Sequence, residues 1–183
     1  LQGPVLVLFV LLGAWPAGWL ASDVRFNRAV ASASRGDLDA ALADAAAVWP
    51  GAAVYPQALY LRGRVLMDQD KPREALDAYA LLDRVAPGFL RAHARKAEAY
   101  AELGDWTDAA RERALQSGRD PGSVGDLVAW AETARAAGDL DQARRAADRA
   151  LALAPEDPSA RLQAAANRLL ERRLADAGAR RRA

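Results

Sequence analysis

An all-α fold built from a repeated pair of helices, entered through one membrane-spanning helix, is what this sequence predicts, and three observations predict it. Stepping by 34 residues from Ala75 lands on Ala41, Ala109 and Ala143, and the same step carries Gly36 through Asp70 to Gly104 and Gly138. Pro87, Pro121 and Pro155 keep the same interval. Residues 1–22 contain no charged side chain, whereas charged residues run through the rest of the chain.

The uncharged segment comes first. Val5 to Leu12 is an unbroken apolar run, followed by Gly13, Trp15, Pro16 and Trp19. About 20 apolar residues cross a bilayer as a helix. The strong apolar residues from Val5 to Leu20 contribute roughly −3 to −5 kcal/mol to insertion, offset in part by the glycines and Pro16. Trp15 and Trp19 fall where an amphipathic indole prefers the headgroup level. Residues 1–22 are therefore expected to anchor the chain in a membrane. A cleaved secretory signal ending at Leu20-Ala21-Ser22 and a buried core helix are the competing readings. Arg25, Arg28 and Arg35 follow the segment and favour a cytoplasmic repeat domain. Long domains are exported regardless of charge, however, so the expected place is the periplasmic side of a bacterial inner membrane, in single-pass form.

From Ser22 the 34-residue units run 22–55, 56–89, 90–123 and 124–157. The second is the clearest: a helix from Pro56 to about Met67, a break, a second helix through Ala75 and Tyr79, and Pro87-Gly88 at the end. The eighth residue of each unit is small, namely Ala29, Gly63, Ala97 and Ala131. Small residues there, answered by Ala41, Ala75, Ala109 and Ala143, let two antiparallel helices approach closely. Gly36, Gly104 and Gly138 sit where a helix ends and φ turns positive. Asp37, Asp105 and Asp139 follow as N-caps, with Gln142 at capping-box spacing. The second unit has Asp70-Lys71 instead and Pro72 in its first helical turn.

A helix-turn-helix repeat of this period, with these small residues and this Gly-Asp turn, resembles the tetratricopeptide repeat over about residues 22–157. It departs from the family pattern where an aromatic is expected in the second helix: Tyr79 is present, but Ala45, Arg113 and Ala147 stand in the other units. The resemblance implies a right-handed superhelix of about four hairpins, its concave side lined by the first helix of each unit. The lining implied is Phe26, Val30, Tyr60, Arg64, Met67, Asp68, Arg91, Glu98, Glu102, Val128, Glu132 and Arg135. Such a surface suits an extended peptide or a helix carrying apolar anchors and charges. Family members that clamp acidic chaperone termini use asparagine and lysine at these places, and none is found here. Residues 158–183 read as a capping helix and a basic tail, with Leu162, Ala165, Ala166, Leu169 and Leu170 turned inward and the arginines outward.

Nothing in the sequence supplies catalysis. There is no phosphate-binding glycine loop, no His-Glu-x-x-His and no Gly-x-Ser-x-Gly. His93, the only histidine, reads as a packing or surface residue, and Asp68 with Asp70 offers too few oxygens for calcium. No cysteine is present, and 25 basic against 24 acidic residues leave a net charge of +1, which disfavours nucleic acid. No cofactor is expected. The expected function is a non-catalytic interaction module, an accessory or assembly subunit of a bacterial membrane complex whose partners are other protein subunits and the bilayer. The alternative is the repeat-bearing tail of an O-antigen-ligase-like glycosyl polymerase.

Overall fold

The structure, a computed structural model, describes residues 20–180. The predicted anchor, with Trp15 and Trp19, lies almost wholly outside the described residues. Among those described, no helix is long and apolar enough to cross a membrane. Residues 20–22 are helical, part of helix α1, which is described from residue 20 through residue 34, and Ser22 is buried with its hydroxyl accepting from the Trp49 N–H at 3.2 Å.

The described chain is helical, with no strand. After α1 come α2 (Leu38–Ala46), α3 (Tyr55–Asp68), α4 (Pro72–Val85), α5 (Ala92–Glu102), α6 (Trp106–Arg119), α7 (Val124–Ala136), α8 (Leu140–Leu153) and α9 (Pro158–Arg180). The chain divides after Ala92 into two compact units. In the first, α3 packs on α2 and α4; in the second, α7 packs on α6, α8 and α9, and α8 also packs on α9.

One turn design recurs at the hairpins. Gly36, Gly104 and Gly138 have φ of 81°, 77° and 79°. The following N–H reaches back five residues, from Asp37 to Ser32, Asp105 to Tyr100 and Asp139 to Ala134, at 2.9–3.0 Å. This is the bond set that satisfies the free carbonyls of a helix end, and it requires a left-handed residue that glycine adopts at least cost. Each aspartate then caps the next helix, Asp37 accepting from the Ala40 N–H, Asp105 from Asp108 and Asp139 from Gln142. Bonds from Gln142, backbone first and then side chain, hold the Asp139 carboxyl below its ordinary pKa. The Gln142 side chain does not close a capping box. Its amide donates to the Asp139 carboxylate at 2.7 Å and its oxygen accepts from the Trp130 indole at 3.2 Å, so it ties the cap to α7. In the second unit of the sequence the same turn is made without glycine: Asp70 takes φ 58° and Lys71 donates to the Leu66 carbonyl, but α4 has no side-chain cap.

The small residues lie at the centre of the hairpins. Ala29, Ala41, Ala75, Ala97, Ala109, Ala131 and Ala143 are all 0% exposed, and Gly63 is buried. Gly63 faces the Tyr79 ring of its hairpin: a Cβ there would penetrate that ring, itself fully buried. Around Tyr79 gather Leu59, Leu66, Ala78 and Leu82, with Tyr60 and Phe89 at the edge. The second compact unit packs mainly alanine. Leu127 is its large fully buried aliphatic side chain, and Trp130, partly buried, touches three of its clusters.

The last helix is oriented differently from expectation. α9 buries Ala160, Gln163, Ala164 and Asn167, while Leu162 and Leu169 are 64% and 54% exposed and Ala165 is exposed. The inward face is polar because Gln163 and Asn167 find partners on α7, as described below, and that pairing turns the leucines outward.

Two outcomes follow from this packing. Gly63→Ala should lower stability by roughly 1–3 kcal/mol, because a methyl group has no space beside an immobile ring; an unchanged denaturation midpoint would contradict the packing described. Replacing Asp70-Lys71 by Gly-Asp should restore the common turn. Relief of the left-handed aspartate and addition of a cap should together raise stability by about 1–2 kcal/mol, read as a rise in Tm.

Candidate partner-binding site

The residues expected to face a partner divide between the two compact units. In the first, Arg64 and Asp68 of α3 are exposed, and Val30 of α1 is 44% exposed. Met67 is half-buried against the Leu66–Tyr79 cluster. Tyr60 is half-buried too, its ring 5.2 Å from Phe89 and 6.3 Å from Tyr79. Phe26 is a core residue as much as a lining one, packed against Ala41 and Ala45 on one side and Val48 and Ala58 on the other. Arg91 lies outside α5. It occupies the turn before Ala92 with φ 68°, a left-handed position that an arginine adopts at some cost.

In the second unit the charged positions are engaged with their own fold. Glu98 accepts from Arg95 at 2.6 Å and lies 3.5 Å from the Arg113 guanidinium. Glu102 is exposed at the end of α5, and Val128 is half-buried against Leu127, Ala150 and Ala160. Arg135 donates through Nη1 to Gln163 Oε1 at 2.6 Å and to Asn167 Oδ1 at 3.4 Å. Gln163 Nε2 in turn donates to Glu132 Oε1 at 2.7 Å. Arg135 is therefore not a free groove cation: it fastens α9 to α7. Gln163 and Asn167 are 3% and 2% exposed, so this is a desolvated polar joint in which Asn167 Nδ2 is left without a partner. The sequence carries a signal for it, two amides at i, i+4 on α9 answering Glu132 and Arg135 at i, i+3 on α7, which an apolar-face reading passes over.

His93 is also structural. Its Nδ1 lies 2.7 Å from Glu112 Oε2, and Lys96 Nζ lies 2.8 Å from Glu112 Oε1. The Glu112 side chain is 5% exposed, so both partners serve to offset the cost of burying a carboxylate. An open concavity of about 790 Å³ lies where α9 runs past the start of α8, lined in part by Gly138, Leu140 and Leu174. Its acids are already committed: Asp139 caps α8, and Asp141 and Glu171 both bond Arg144, at 3.1 and 3.4 Å. Among the described residues no three histidine or acidic side chains gather as a metal site.

What the site offers is thus a surface for another chain. Two family models, both described as tetratricopeptide repeat, match residues 60–124 and 124–167 and together span more than half of the chain. No curated protein sequence matches it. Among solved structures, MamA (residues 41 to the end) from Desulfovibrio magneticus RS-1 shares 15% identity with a TM-score of 0.72, over 82% of this chain and 85% of that one. A tetratricopeptide repeat protein from Parabacteroides merdae shares 19% with a TM-score of 0.72, over 79% of this chain and 57% of that one. The first repeat domain of Spaghetti, bound to the HSP90 peptide SRMEEVD, shares 20% with a TM-score of 0.56, over 63% of this chain and 91% of that one. These likenesses show a common fold. Tetratricopeptide repeats are non-catalytic scaffolds that bind other proteins, and this chain belongs to the tetratricopeptide repeat family.

Proposed function

We propose that this chain is the interaction subunit of a bacterial membrane complex, an accessory or assembly factor that holds another protein against its repeats. The observation that carries the reading is the face of α1 and α3. Val30, Arg64 and Asp68 stand exposed there, Tyr60 and Met67 stand half-exposed, and none is needed to close a hairpin turn. Apolar and aromatic anchors interspersed with one cation and one anion fit a peptide or helix of mixed character better than a flat, uniformly charged partner. The membrane part of the proposal rests on residues 1–22, which carry no charged side chain. We assign the chain to the inner membrane with its repeats on the periplasmic side.

Gentle detergent extraction of the native membrane, followed by size separation and mass spectrometry, tests the proposal. Co-migration with a defined set of membrane subunits supports it. Migration alone overturns it, and migration within a longer multi-span polypeptide moves the assignment to the polymerase tail.

Two variants separate partner contact from folding. Arg64→Glu should leave Tm unchanged and reduce recovery of the partner subunits. Arg135→Ala should lower stability by roughly 1–3 kcal/mol, since it leaves buried amides unsatisfied between α7 and α9. An Arg64 variant that recovers partners normally removes this face from the proposal.

A further inference from the structure

The side of α9 opposite its polar joint is apolar over two turns. Leu162, Ala165 and Leu169 lie along it, all exposed. The two leucines are seven residues apart and so roughly 10.5 Å apart along the axis, with only the small Ala165 and half-buried Ala166 between them. That is a ridge-and-gap profile for another helix to pack into. One edge of the stripe carries Arg161, Arg168 and Arg172, at spacings that keep them on one side of the helix, and Arg173 borders the other edge. All four are exposed; among the described residues only Arg161 has an acidic partner, Glu156 at 3.1 Å, and Asp176 is the exposed acid of this helix. The 34-residue step places Leu162 and Leu169 at the positions of Val128 and Arg135 on α7.

We propose that this stripe docks an amphipathic helix of a partner protein, one with aliphatic anchors spaced by two turns and glutamate or aspartate along the edge that meets Arg168 and Arg172. Charge complementarity selects that occupant. A second copy of the chain would bring like arginine rows together when two α9 helices pair. A bilayer surface would be gripped by two leucines with no aromatic residue on the helix. The inference rests on the chain being an interaction module and names the chemistry of a partner it takes.

The test uses the full chain in mild detergent and two synthetic heptad-repeat helices with leucine at a and alanine at d. One carries glutamate at e and g, the other lysine. The glutamate helix should bind roughly tenfold or more tightly than the lysine helix, and Arg168→Glu with Arg172→Glu should reverse that preference. Leu162→Ser with Leu169→Ser should abolish both, with Tm unchanged because these side chains are exposed. Equal affinity for the two helices, or no reversal on charge exchange, overturns the proposal. So does concentration-dependent self-association lost in the leucine variant, or binding to phosphatidylglycerol vesicles over phosphatidylcholine that depends on Leu162 and Leu169. If the leucine variant still co-purifies with the native subunits, this inference fails while the interaction-module reading stands.

Discussion

Close approach of the two helices in each hairpin is the constraint on which the rest of this structure depends. It is met by giving both helices a residue with almost no side chain where they come together, and every such alanine is fully excluded from water. Alanine also carries the highest helix propensity, so one residue type serves both local conformation and packing. The arrangement leaves little freedom. Where the second helix has a large ring, Tyr79, the first has glycine rather than alanine, and where the second helix has Ala147, the first keeps Ala131. Volume is thus balanced within these two hairpins, as a close-packed interior requires.

A core of small residues has a consequence for what else must hold the fold together. Burial contributes about 25 cal/mol per Å² of apolar surface, and an alanine has little to give. The first compact unit compensates with Tyr79, Leu66, Leu82 and the aromatic edge formed by Tyr60 and Phe89. The second has fewer large side chains and uses buried polar groups instead. His93, Glu112, Gln116, Ser117, Gln163 and Asn167 are all inside it. Such groups are neutral to stability while paired and costly when a partner is lost, so they define particular contacts more sharply than methyl groups do. The Gln116 amide on Asp126 joins α6 to α7, and the Arg135 cluster joins α7 to α9.

This difference explains what could be read in advance. Turns are local: Gly36, Gly104 and Gly138 are recognisable because a left-handed residue is needed at a fixed offset, and Asp37, Asp105 and Asp139 because a short acceptor is needed one residue later. Asp70 could be placed at the same turn only through the period, since its residue type does not announce it. The positions expected to face a partner were less legible. Arg135 and Glu132 fall on the expected helix, yet their hydrogen bonds depend on two amides, Gln163 and Asn167, 28 to 32 residues away, and no pattern within a single helix reveals such a pairing. Arg91 fails for a simpler reason: α5 starts two residues after the unit boundary set by the period.

The same pairing decides how α9 packs. A terminal helix covered on one side can bury either its leucines or its amides, and hydrophobicity alone favours the leucines. Here α7 presents Arg135 and Glu132 at the surface to be covered. An unpaired guanidinium beneath two leucines would lose its hydration without replacement, whereas Gln163 and Asn167 supply oxygens to the cation and a donor to the carboxylate. The polar face is therefore drawn inward by the electrostatic demand of α7, and the leucines are displaced to the outside as its consequence. An apolar stripe bordered by arginines thus arises on α9 from the same bonds that fasten it.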